Sequence, residues 1–145
     1  MFPRFAGPGP LWRREMSGEP ILIVDDNPVN LKLFRVVLAG EGYDVRTATD
    51  AEEALDLLRE FHPKLILMDI QLPGMDGLDL TRRLRADPAT RRIVILALTA
   101  YAMKGDDQKT LEAGCDGYIA KPVDTRTLPG IIAQHLAGAK KSSVG

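Results

Sequence analysis

The stretch Ile21-Leu22-Ile23-Val24-Asp25-Asp26-Asn27-Pro28 decides how this chain folds. Its apolar run is short and unbroken by polar residues, so it reads as a strand covered on both faces, as in a parallel sheet. The run stops at two carboxylates. Asn27 then offers an N-cap, and Pro28 takes the first helical position, where its missing N–H costs nothing. Strand, acidic turn and helix follow one another within a few residues.

Three further runs repeat the arrangement. Leu65-Ile66-Leu67-Met68 stops at Asp69, Ile93 through Leu98 stops at Thr99, and Tyr118-Ile119-Ala120 stops at Lys121-Pro122. Open α/β sheets bind their ligands at the carboxyl ends of the strands, so the four polar ends are expected along one edge. Between the runs lie helical patterns. The first helix carries Val29, Leu33, Val36 and Val37 at helical spacing, with Gly40 and Gly42 as places to stop. Asp44 to Ala48 is a short strand, and Asp50 caps a second helix carrying Ala54, Leu55, Leu57 and Leu58, which His62-Pro63 breaks. Pro73-Gly74 signals a turn after Asp69, Gly77 permits a backbone conformation that other residues resist, and a third helix runs from about Leu78 to Arg85. A weak fourth helix, about Lys104 to Ala113, is expected to move. Pro129 places the last helix: with Thr127 as cap it falls harmlessly in the first turn, giving a helix from about Leu128 to Leu136. Five strands alternating with five helices make a doubly wound α/β sheet.

A chain of 145 residues, 45% hydrophobic, is expected to form one domain with its own core. Residues 20–137 form that domain, with a flexible tail at 1–19, rich in Pro, Gly and Arg, and another at 138–145. A net charge of -1 lacks the basic field of a nucleic-acid binder. No apolar run approaches the ~20 residues that span a bilayer, so membrane insertion is not expected. The single cysteine, Cys115, cannot form an intramolecular disulfide, which fits a cytoplasmic setting.

Gathering Asp25, Asp26 and Asp69 in one pocket is costly without a cation, because the carboxylates repel one another. Magnesium suits such a set: it takes oxygen ligands and keeps several waters. One oxygen of Asp69 then remains to attack phosphorus, as carboxylates do when they form acyl phosphates. Lys121 supplies positive charge and Thr99 a hydroxyl.

These residues resemble the receiver domain of two-component response regulators over about Pro20 to Leu136. The motifs are Ile23-Val24-Asp25-Asp26-Asn27, Leu67-Met68-Asp69-Ile70-Gln71-Leu72-Pro73-Gly74-Met75-Asp76-Gly77, Ala97-Leu98-Thr99-Ala100 and Tyr118-Ile119-Ala120-Lys121-Pro122, in the family's order and spacing. The resemblance implies a flavodoxin-like sheet of order 2-1-3-4-5. It also implies that Asp69 is the phosphoacceptor and that Asp26, Asp69 and the Gln71 backbone carbonyl bind Mg2+, with Asp25 acting partly through a metal-bound water. Thr99 would bond the arriving phosphoryl group, Lys121 would pair with it across a cis Lys121-Pro122 peptide, and Tyr118 would be the switch aromatic. Stand-alone regulators of the cell-division type are similar through Asn30-Leu31-Lys32-Leu33-Phe34 and Ala102-Met103-Lys104-Gly105-Asp106.

The expected function is therefore a single-domain response regulator, phosphorylated by a histidine kinase or phosphotransfer protein and signalling to a downstream protein target. It would assist its own phosphorylation and dephosphorylation without turning over a substrate. Two alternatives stand beside it: a receiver segment of a hybrid histidine kinase, and an aspartate-nucleophile phosphohydrolase. The hydrolase class carries an Asp-x-Asp motif with its nucleophile on the first strand, whereas the lone acceptor here follows the third. Asn27, Asn30, Leu31 and Phe34 are expected to form part of the kinase-docking face. Tyr101, at the pocket rim, is expected to slow hydrolysis of the acyl phosphate.

Overall fold

A computed structural model of the protein describes residues 18–100 and 106–144. The expected N-terminal tail up to residue 17, Tyr101 and the start of the expected fourth helix lie outside the described residues. In chain order the elements are β1 (Pro20–Val24), α1 (Pro28–Gly40), β2 (Asp44–Ala48), α2 (Ala51–Leu57) and β3 (Leu65–Asp69). They continue with α3 (Gly77–Ala86), β4 (Val94–Thr99), α4 (Asp106–Ala113), β5 (Gly117–Ala120) and α5 (Leu128–Val144).

All strand pairs are parallel, in the order β2-β1-β3-β4-β5, the flavodoxin-like arrangement. The register sets Val24 beside Met68, Asp69 beside Leu98 and Thr99 beside Ala120, which brings the carboxyl ends level. Alternate residues of the strands face opposite sides. On one side Ile21, Ile23, Leu65, Leu67, Leu96 and Leu98 pack against α1 and α5. On the other, Leu22, Val24, Ile66, Met68, Ile95 and Ala97 meet Ala51 and Ala54 of α2 and Leu80 and Leu84 of α3. The apolar runs are continuous because both sides are covered.

Two helix starts follow the expected caps, and a third cap was not anticipated. The Asn27 side chain accepts the N–H groups of Val29 and Asn30, Asp50 accepts that of Glu53, and the unanticipated Asp76 accepts that of Asp79. α5 starts at Leu128 as expected, with the Thr127 hydroxyl donating to the Asp124 carbonyl. The Glu53 carboxylate also accepts the Thr49 N–H and hydroxyl, one residue before the cap, which ties the start of the short α2 to the preceding turn.

Three expectations need correction. α1 buries Leu31, Phe34 and Leu38, while Val29, Val36 and Leu33 are 71%, 62% and 45% exposed. The helix carries two apolar stripes, and the one with larger side chains, which removes more apolar area from water, faces the sheet. Gly77 is required for a close approach: a Cβ there would overlap the Asp69 carbonyl oxygen. α5 does not stop near Leu136 but runs to Val144, since one glycine, Gly138, costs a helix only ~1 kcal/mol.

Candidate functional site

The acidic site is assembled from the ends of β1, β3, β4 and β5. Asp25, one residue beyond β1, is fully buried and Asp26 is exposed. Asp69 ends β3 and is buried, as is Thr99 at the end of β4. Lys121 follows β5. Its N–H donates to the Thr99 carbonyl at 2.8 Å, and its peptide bond to Pro122 is cis, as the resemblance implied.

The side chains of Asp25, Asp26, Asp69 and Lys121 come together. The Lys121 Nζ lies 2.8 Å from Asp69 Oδ2 and 3.8 Å from Asp25 Oδ2. Asp69 Oδ1 accepts the Gln71 N–H at 3.0 Å, so the loop after β3 folds back onto the carboxylate. The Gly77 N–H donates to the Ile70 carbonyl at 2.8 Å and closes that loop against the start of α3. Asp25 Oδ1 accepts the Asn27 N–H at 2.9 Å, and Asp25 Oδ2 accepts the Asn30 side-chain amide at 3.3 Å.

Burial raises the Asp25 carboxyl above its ordinary range, and the neighbouring Asp69 charge adds to this. The Asn27 N–H, Lys121 and the Asn30 amide pull the other way. One ammonium thus faces a group of carboxylates. Asp25, Asp26 and Asp69 each offer an oxygen, and these lie within 4.8 Å of one another, a spacing and donor chemistry that fit a hard divalent cation. Tyr118, on β5, is 44% exposed.

Two residues expected on a docking face lie elsewhere. Leu31 and Phe34 are buried against the sheet at 8% and 3% exposure, so they cannot greet a partner. Asn27 caps α1, and Asn30 holds Asp25. The Asn30 contact was within reach of the sequence, since a residue in the first turn after Asn27-Pro28 faces back toward the end of the preceding strand. A wide groove of about 650 Å³ between α2 and the loop after β3, lined by Asp50, Glu52, Arg59 and Arg83, includes none of the converging residues.

With order, register and acidic cluster together, the class is defined: the chain belongs to the response regulator receiver domain family, whose model matches residues 21–133. Among individual relatives, the polar-differentiation response regulator DivK of Brucella ovis is 44% identical over 119 residues, covering 82% of this chain and 97% of that protein. A CheY-like response regulator receiver domain protein from Methanospirillum hungatei JF-1 superposes with a TM-score of 0.80 at 34% identity, over 87% of this chain and 99% of that one. The receiver domain of a sensor histidine kinase from Pseudomonas aeruginosa PAO1, solved with a magnesium ion coordinated in its active site cleft, gives 0.76 at 38% identity over 83% and 99%. Among the described residues, no helix is long and apolar enough to cross a membrane.

Proposed function

We propose that Asp69 accepts a phosphoryl group from a histidine kinase or phosphotransfer protein. The reading is carried by the Lys121 ammonium, 2.8 Å from Asp69 Oδ2 in a cluster with Asp25 and Asp26. An Asp69 oxygen attacks phosphorus in line; a P–O bond forms as the P–N bond to the donor imidazole breaks, and the bonding pair leaves with the imidazole. Lys121 passes from the carboxylate to the incoming phosphoryl oxygens, and the Thr99 hydroxyl donates to one of them. Asp25, Asp26, Asp69 and the Gln71 backbone carbonyl would hold Mg2+, which when bound neutralises charge on the transferring group.

The product stays attached to the protein, so the domain acts as a stoichiometric signal carrier in the cytoplasm. Thr99 and Tyr118 form the switch: drawing Thr99 toward the phosphate biases a pre-existing equilibrium in which Tyr118 turns inward, and a downstream protein reads the altered α4, β5 and α5 surface. For the donor we propose the second apolar stripe of α1. Val29, Leu33 and Val36 exceed what the core uses, lie beside Asn30 and hence Asp25, and suit an apolar helical face on the donor. The stand-alone reading is favoured over a hybrid-kinase segment by the near-complete coverage of the DivK relative.

Incubation with acetyl phosphate and Mg2+ followed by intact-mass measurement tests the proposal. Wild type should gain one phosphate and Asp69→Asn none. Equal gain by Asp69→Asn, or sustained release of phosphate from a simple ester, would overturn it.

A further inference from the structure

We propose that Arg85 and Asp116, at the far end of the sheet from the acidic cluster, are positioning residues for Lys121. The inference rests on the phosphoacceptor reading above. β5, which carries Lys121 to Asp69, is an edge strand of 4 residues that among the described residues pairs with β4 alone. Its residues alternate between half-buried and exposed, and of its apolar side chains Ile119 packs against the core. Such a strand is weakly fixed by burial.

Polar contacts fix it instead. The Asp116 N–H donates to the Ile95 carbonyl at 2.8 Å, and Asp116 Oδ2 accepts the Ile95 N–H at 2.8 Å. Asp116 thereby satisfies both backbone groups of Ile95 just before the β4–β5 ladder begins at Leu96 and Gly117. Arg85, from α3, holds that carboxylate through Nη2 at 2.8 Å. The same guanidinium donates from Nε to the Gly114 carbonyl at 2.8 Å, and from Nη1 to the Arg91 and Ile93 carbonyls at 2.7 and 2.6 Å. One planar group thus ties the end of α3, the approach to β4 and the turn before β5. Gly114, at φ +110°, lets the backbone come close: a Cβ there would sit 2.7 Å from Arg85 Cγ.

The consequence is felt at the other end of β5. From Asp116 the ladder runs to Thr99 opposite Ala120 and hands directly to the Lys121 N–H on the Thr99 carbonyl. A strand that slips by one residue turns every side chain to the opposite face, so the clamp at the start decides which side chain meets Asp69. The ion pair itself is partly solvated, its side chains 22% and 45% exposed, and such pairs add little stability. Misplacing a reacting group, by contrast, is costly to rate. The clamp should govern phosphoryl uptake more than melting.

The test compares wild type, Arg85→Ala, Arg85→Lys and Gly114→Ala, the last crowding Arg85 without removing its charge. Three quantities are read: the rate of phosphate uptake from acetyl phosphate with Mg2+, Mg2+ affinity, and acetic anhydride labelling of Lys121 and Lys64 by mass spectrometry. Uptake should fall on the order of 10-fold in all three variants, because lysine lacks the guanidinium fork. Lys121 labelling should rise several-fold while Lys64 labelling and Mg2+ affinity hold. In a Lys121→Met background, Arg85→Ala should add no further loss. Unchanged uptake and Lys121 labelling, equal increases at Lys64, or a full additional loss without Lys121 would each overturn the proposal. If wild type takes up no phosphate the acceptor reading fails, and the labelling pattern still decides whether the clamp places Lys121.

Discussion

β3 and β5 deliver Asp69 and Lys121 to the same point by different physical means. β3 lies between β1 and β4, and all 5 of its residues are buried, so packing volume on both sides fixes where Asp69 sits. β5 lies at the edge, alternates half-buried and exposed residues, and is pinned at its two ends by Asp116 and by the Lys121 N–H. The proposed acceptor, Asp69, thus sits in the packed centre, whereas its counter-charge rides on the edge strand. The proposed function suits that division: phosphoryl transfer to Asp69 would need a fixed nucleophile, and a read-out would need a surface that changes.

The sharpest challenge to the comparison is a matched pair of truncations. Ile66→Ala on β3, at a fully buried position, should cost about 3–4 kcal/mol in urea unfolding, and Ile119→Ala on β5 about 1. Equal costs would mean that β5 is held by packing after all. Next in size, Lys121→Met should slow phosphate uptake about 10²-fold, the usual loss for one electrostatic donor, with little change in Tm when Mg2+ is present to offset the carboxylates. A comparable collapse of Tm would make Lys121 a structural tie.

A smaller effect concerns Asp25. Its folded carboxyl lies above the ordinary value of 3.8, chiefly through burial. Between the unfolded and folded values the native state binds more protons than the unfolded chain, so stability falls as pH rises through that window and stays reduced above it. Asp25→Asn removes the buried charge. Without Mg2+ it should raise Tm by ~2–5 °C at pH 7, with the gain vanishing toward pH 3, where the carboxyl is neutral in both states. A gain that grows on acidification would reverse the sign. Comparable in size is Asn27→Ala, which removes the α1 cap and should cost ~1 kcal/mol in the same urea unfolding assay.

Much of this was legible in the sequence because strands buried on both faces are written as unbroken apolar runs, and each run here ends at a polar residue. Ile21–Val24, Leu65–Met68 and the run before Thr99 needed nothing else, Asn27 and Asp50 marked helix starts by capping chemistry alone, and Pro129 placed the start of the last helix. α1 was misread because it bears two apolar stripes. Helical periodicity identifies both stripes and cannot choose between them, and only the space against the sheet selects Leu31, Phe34 and Leu38. The Arg85 network escaped for another reason. Its partners are mostly backbone carbonyls of distant loops, and a carbonyl carries no residue identity for a sequence pattern to display.

Reductive trapping tests the central claim most directly. The protein is phosphorylated with acetyl phosphate and Mg2+, reduced with borohydride, which turns an aspartyl phosphate into homoserine, and mapped by peptide mass spectrometry. Homoserine in place of Asp69, and at no other acid, is the predicted result; homoserine at Asp25 or Asp26, or none at all, would contradict it.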